Sequence, residues 1–416
     1  MKAKAILIFL FFSAAVAAQT DTTEYKKFRF GGYGEILFQQ MNYGADRYKD
    51  PAGAARENRA YVSIPRTILA FDYKFREDIV LSTEIEFEYG GVGTAMELEY
   101  DEAGEYETEI EKGGEVQLEQ FHITKRFANW FNVRAGHIIV PVGLTNAHHE
   151  PIFFFGATRP EGEMSILPCT WHETGLSILG KYKGLSYEVM VINGLDPNGF
   201  SSDNWIQGGK QGMFEKSVMT SPAYAGRLEY VPVKGLRLGV SGYFNKTAPN
   251  ATLPQKTANI DANVAIGTFD AQYIHKNAGV RANFIYGHLT DAYQLGKINN
   301  TLSKYSPFSR DLVLGEVALT YSVEAGYNVL SFFGLKQKLM PFVRYEYYNS
   351  MEKVPAQRNK DLHNRREIFT IGANYALLPN LVIKADYNIR RIDGGRYNNE
   401  NTFGLGIGYI GWFIQK

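Results

Sequence analysis

From residue 28 onward, apolar and polar positions alternate in stretches of about ten residues, the length a tilted strand needs to cross a bilayer. The cleanest stretch is 79–89, where Ile79, Leu81, Thr83, Ile85, Phe87 and Tyr89 alternate with Val80, Ser82, Glu84, Glu86 and Glu88. A period of two with one apolar and one acidic face predicts a strand. The same pattern recurs. Tyr224, Gly226, Leu228 and Tyr230 oppose Ala225, Arg227 and Glu229, and Leu236, Leu238 and Val240 oppose Arg237, Gly239 and Ser241. Val280, Ala282, Phe284 and Tyr286 oppose Arg281 and Asn283, and Val343, Tyr345 and Tyr347 oppose Arg344 and Glu346. Leu381, Ile383, Ala385, Tyr387 and Ile389 oppose Lys384, Asp386, Asn388 and Arg390.

The connections alternate as well. Short ones at 76–78, 128–130, 182–184, 232–235, 276–278 and 378–380 are separated by long stretches at 43–58, 90–114, 143–170, 193–221, 246–258, 289–311, 350–365 and 392–400. Short turns at one end and long loops at the other are the habit of outer-membrane barrels. Eight long loops taken as hairpin tips predict an all-β fold: a transmembrane antiparallel β-barrel of about 16 strands, with short periplasmic turns and long outer loops. Alternation is muddled over 115–127, and no single register is preferred over 312–328. The last strand, 402–413, sets Phe403, Leu405, Ile407 and Tyr409 against three glycines.

Composition changes the picture in three ways. Residues 1–18 read as a signal peptide, with Lys2 and Lys4, an apolar core from Ile6 to Phe12, and Ala15-Val16-Ala17-Ala18 as cleavage site. Residues 19–27 are then a short periplasmic segment, 28–416 the barrel, and the bacterial outer membrane the destination. No stretch approaches the length of a spanning helix, while 14% aromatics and a mean hydropathy of −0.25 suit a wall with one face in lipid. A formal net charge of +0 argues against nucleic acid, and Cys169, the single cysteine, excludes an internal disulfide.

Several segments resemble the phosphate-selective porin O and P family, in its Bacteroidetes-type outer-membrane form. They are Val133-Arg134-Ala135-Gly136-His137, Val140-Pro141-Val142-Gly143-Leu144, Trp171-His172-Glu173-Thr174-Gly175 and Pro341-Phe342-Val343-Arg344-Tyr345-Glu346. The resemblance implies a 16-stranded, trimeric channel whose third long loop, here 143–170, folds inward as a constriction. Phe153, Phe154, Phe155, Arg159, Glu161 and Glu163 are its candidate residues. The family's arginine ladder does not carry over residue by residue.

The strand registers name the charges facing the lumen. Arg227, Arg237, Arg281, Arg344, Lys384 and Arg390 are basic; Glu84, Glu86, Glu88, Glu188, Glu229, Glu346 and Asp386 are acidic. A single-sign ring would select ions of the other sign. Mixed signs predict passive diffusion of small hydrophilic solutes and ions, with a phosphate or anion channel as the alternative. Arg227 with Glu229 and Arg344 with Glu346 could equally be structural pairs. The acidic stretch 96–119 has carboxylates that suit Ca²⁺ but no EF-hand spacing, and a solvated surface loop is the plainer reading.

His148, His149, Glu150, Cys169, His172 and Glu173 are metal-ligating types without a diagnostic spacing, so neither metal nor cofactor is assigned. Ser177 and His172 lack a third partner and no G-x-S-x-G appears, so no enzyme is expected over a channel. Loop 193–221 leaves a surface adhesin as a third class. The expected partners are outer-membrane lipid, copies of the same chain in a homotrimer, and small polar solutes or anions as cargo.

Overall fold

A strand that is apolar on one face and charged on the other must bury its charges away from lipid, and a sheet in hydrocarbon must leave no edge unpaired. Closure meets both demands. The computed structural model describes residues 27–43, 56–91, 97–99, 105–107, 114–211, 216–303, 308–394 and 399–416. Sixteen antiparallel strands form one closed ring. In chain order they begin with β1 (Phe28–Met41), β2 (Arg59–Arg76) and β3 (Ile79–Glu88). A separate two-stranded hairpin, β4 (Glu97–Glu99) with β5 (Glu105–Glu107), rises from the acidic loop. The ring resumes with β6 (Glu115–Ala128), β7 (Phe131–Ile139), β8 (His172–Tyr182), β9 (Leu185–Ile192), β10 (Ala223–Val233), β11 (Leu236–Lys246) and β12 (Asn263–His275). It continues through β13 (Ala278–Leu289), β14 (Val317–Tyr327), β15 (Lys338–Lys353), β16 (Arg365–Leu378), β17 (Leu381–Ile392) and β18 (Asn399–Gln415), and β18 pairs with β1.

Alternation sets the two faces. On β10, Tyr224, Leu228 and Tyr230 are exposed while Ala225, Arg227 and Glu229 are buried. On β18, Phe403, Leu405 and Ile407 point out and the glycines between them point in. Short connections gather at one end. Between β8 and β9 the turn is two residues, Lys183 (φ 46°) and Gly184 (φ 82°), both left-handed as a tight hairpin matching strand twist requires.

Four details depart from the sequence expectation. The muddled stretch 115–127 is strand β6 with a bulge: register passes from Glu84↔Gln120 to Ile85↔Leu118, leaving Glu119 as an extra residue that shifts the alternation. In 312–328, strand β14 starts only at Val317. The apolar run before it belongs to a loop and buries Leu314. Tyr347 follows the outward register but is covered, stacked on Tyr321 with ring centroids 5.1 Å apart and donating its hydroxyl to Glu352 at 2.7 Å. The acidic stretch 96–119 is not one loop, because 115–119 are already in β6 and Glu119 is fully buried. Residues 1–26, and with them the expected export signal, lie outside the described residues, as do Asp101, Glu102, Glu109 and Glu111.

Candidate functional site

Most inward-facing charges meet in opposite-sign pairs because each sits beside a partner two residues along its own strand or one or two strands away, in a space where an unpaired charge is costly. Arg227 binds Glu229 at 2.9 Å and Asp270 at 2.8 Å. Arg281 reaches Glu324 at 2.7 Å, Arg344 reaches Glu346 at 2.7 Å, and Arg390 reaches Glu400 at 3.1 Å. Glu188 accepts from Arg134 at 3.3 Å, Arg237 lies 3.9 Å from Glu229, and Glu86 lies 3.7 Å from Arg66. Glu88 stands opposite Glu115 at the loop end of β3. Away from that end, the paired residues make the inner wall a mosaic of compensated charges.

Residues 140–171 connect β7 to β8 and contact the inner wall on strands far around the ring. Lys384 of β17 donates to the carbonyls of Pro151, Phe154 (2.7 Å) and Gly156 (3.0 Å), and its ammonium lies 3.8 Å from the Phe154 ring centre. Asp386 accepts from the backbone of Ala157 at 2.6 Å, and Phe155 stacks on Phe342 of β15 at 5.5 Å. Glu161 is held by Tyr348 and Arg390, and Arg159 donates to Thr170 at 3.1 Å. Phe153 is half-buried, with its backbone N–H bonded to Glu150.

Glu163 ties the connection to itself. It accepts from the backbone of Thr145 (3.0 Å) and Asn146 (2.8 Å), and from Asn283 of β13 at 2.6 Å. Gly143, at φ +87°, lets the chain turn beneath it: a Cβ there would lie 2.2 Å from the Glu163 carboxylate. Burial pushes the Glu163 carboxyl above the ordinary range despite those donors.

A cavity of about 800 Å³ lies inside the barrel at the short-turn end. Its walls include Arg126, Asn132, Arg134, Glu188, Arg227 and Glu229, and Ala147, His148, His149 and Glu150 of the inward connection line its inner reach. Burial, with Arg237 and Arg227 near, holds His148 down at about 4, so the neutral ring donates to Glu229 at 3.2 Å. Toward the long-loop end the inner face of β9 to β14 turns apolar, with Ile192, Tyr243, Val264, Ile266, Ile285 and Leu289 buried. Trp171, Leu195, Phe200, Trp205 and Ile206 from the long loops pack against them. Loop 193–221, an adhesin candidate by length, therefore buries Leu195, Phe200, Trp205 and Ile206 inside the barrel, while its Val218 and Met219 are exposed.

The metal-ligating types in 148–173 part company. His172 contacts Lys210 (2.6 Å) and His137, Glu173 accepts from Trp171 (3.2 Å) and Asn193 (2.6 Å), and Cys169 is a free thiol. With its ring engaged there, His172 does not serve Ser177. His149 instead meets wall residues. It lies 3.0 Å from Glu119 and 2.8 Å from the hydroxyl of Tyr33. Glu119, Arg66 and Tyr33 are among the inner-face residues that sequence reasoning missed, with Arg134, Asp270, Glu324 and Glu400. A signal for Arg66 was present, since Thr67, Leu69, Phe71, Tyr73 and Phe75 alternate with Arg66, Asp72 and Lys74.

No family model matches the chain. An uncharacterized protein of Aquifex aeolicus is 28% identical over 366 residues, covering 86% of this chain and 74% of its own length. Among solved structures, the outer membrane channel DcaP of Acinetobacter baumannii superposes with a TM-score of 0.55 at 13% identity, covering 92% of this chain and 97% of that one. Salmonella typhi OmpF gives 0.55 at 11% identity, covering 94% and 99%, and the trimer form of Vibrio cholerae OmpT gives 0.51 at 10%, covering 93% and 100%. The chain has the fold of bacterial outer-membrane porins.

Proposed function

We propose that this protein is a bacterial outer-membrane porin through which small hydrophilic solutes and ions diffuse passively. The observation that carries the reading is a closed ring of strands, apolar outside, enclosing a charged cavity of about 800 Å³. Residues 143–170 act as the constriction, since they contact the inner faces of β13, β15 and β17. The compensated inner charges favour weak selectivity over an anion filter, because paired opposite charges present no ring of one sign. The short strand motifs favour a relative of the phosphate-selective porins O and P. An export signal in residues 1–18 and assembly as a homotrimer complete the reading, the latter in keeping with the trimer form of Vibrio cholerae OmpT.

The experiment is planar-bilayer recording of the purified barrel. Discrete open-channel steps and a reversal potential near zero in a KCl gradient are expected. Absence of conductance overturns the porin reading, and a strong anion potential replaces the general pore with the anion channel. Hydrolytic activity of the folded protein would favour the enzyme class instead.

A further inference from the structure

Where the inward connection meets the wall, three potential ligands converge from three separate elements. Glu84 comes from β3, Glu119 from the bulge of β6, and His149 from the connection between β7 and β8. One donor atom of each lies within 4.8 Å of the others, a span a single ion can bridge after small side-chain adjustments. We propose that Glu84, Glu119 and His149 form a divalent transition-metal site that fastens the inward connection to the barrel wall.

The surroundings are built for this. The His149 Nδ1 faces the carbonyl of Asn146 at 3.0 Å, the outer contact that orients a ligating imidazole with Nε2 toward the metal. Tyr33 donates to Glu119 Oε2 at 2.7 Å, fixing that carboxylate and leaving Oε1 toward the cluster. Glu119 is fully buried, yet Oε1 receives no aligned hydrogen bond, although His149 Nε2 is only 3.0 Å away. Without an ion, the His149 ring supplies the positive charge beside this oxygen, its Nε2 lying also 2.8 Å from the Tyr33 hydroxyl, and a metal ion would take the place of the Nε2 proton. Arg66 directs its ion pairs to Glu35 (3.5 Å) and Glu86 (3.7 Å) and donates to the His149 carbonyl at 2.9 Å.

One imidazole nitrogen with two carboxylates suits Zn²⁺ and its neighbours in the first transition row. Ca²⁺ and Mg²⁺ prefer oxygen throughout. His149 lines the large cavity, so an ion has a route in from the short-turn end. Neither the geometry nor its test depends on whether the barrel conducts.

The test is titration of the refolded, EDTA-stripped barrel in detergent with Zn²⁺ by calorimetry, and with Co²⁺ by visible absorption. One saturable equivalent is expected, with Co²⁺ bands showing low-symmetry coordination that includes nitrogen. Glu84→Gln and His149→Gln should each weaken Zn²⁺ binding roughly tenfold or more, while Glu88→Gln on the same strand leaves it unchanged. Zn²⁺ should also slow protease cleavage within residues 143–170 in the wild-type barrel. Absence of saturable binding, or equal affinity in all variants that retain the folded electrophoretic mobility, overturns the proposal. The Co²⁺ spectrum decides on the wild-type protein alone if a ligand variant does not fold.

Discussion

Lys384 of β17 is bound to Phe154 of the inward connection twice over, through a 2.7 Å hydrogen bond to its carbonyl and by sitting 3.8 Å over its ring. With Pro151 and Gly156 it crowns a small arc of carbonyls that no neighbouring strand could pair. Lys384→Met keeps the bulk and removes the charge, and is expected to weaken docking by on the order of 3 kcal/mol. Single-channel recording should show larger or noisier conductance, with the barrel's thermal transition little changed.

Gly143 is a second fastening, and a steric one. Gly143→Ala places a methyl group at φ +87°, a backbone cost of about 1–2 kcal/mol, and drives it against the Glu163 carboxylate. The backbone bonds from Thr145 and Asn146 to Glu163 should loosen together. Limited proteolysis of the folded barrel would then cut within 143–170 faster than in the wild type.

Glu163 also gives docking a pH dependence. Burial raises its carboxyl in the docked state, so the docked form binds the proton more tightly than the undocked one. Its contribution is full below the ordinary carboxylate value near 4.5 and is lost as pH rises through the raised value. Protease resistance of the connection should therefore fall from pH 4 upward to a plateau, and Glu163→Gln should flatten that slope. An unchanged slope in the variant would assign it to other carboxylates.

Arg344 compensates two buried carboxylates, with Glu346 at 2.7 Å and Glu324 at 3.8 Å. Arg344→Met strands Glu346, while Glu324 keeps Arg281 at 2.7 Å, and should cost roughly 3–5 kcal/mol. Adding Glu346→Gln should restore part of the loss. Urea unfolding of the folded barrel in lipid vesicles measures each step.

On the outer face the cost depends on depth. Ile371 lies in the middle of β16 and is 54% exposed, while Leu377, 51% exposed, is beside the short turn. Ile371→Arg should cost about 2–4 kcal/mol and Leu377→Arg about 1 kcal/mol or less. Equal costs in a vesicle refolding titration would contradict the wall's orientation in the bilayer.

The ring and its two faces are legible in the sequence because side chains on a strand obey a fixed period of two. Arg227, Arg281 and Arg344 could be placed inward by counting from Leu228, Phe284 and Val343. Glu119 could not, because a bulge inserts one residue and the count fails there. Contacts made by the inward connection were beyond counting as well. Glu163 and Asn283 are 120 positions apart, and only the closed wall brings them together. The apolar packing of Trp205 and Phe200 inside the barrel had no periodic signature, since both lie in a loop.

Closure of β1 onto β18 makes the last strand of the sequence the partner of the first, with the amides of Lys27 and Phe28 reaching back to the carbonyl of Lys416. Every intermediate short of that event carries two bare edges, and hydrocarbon offers neither a substitute for the missing strand. In hydrocarbon an open sheet keeps unpaired backbone groups at both margins, so the β1–β18 seam is the pairing that removes the last of them.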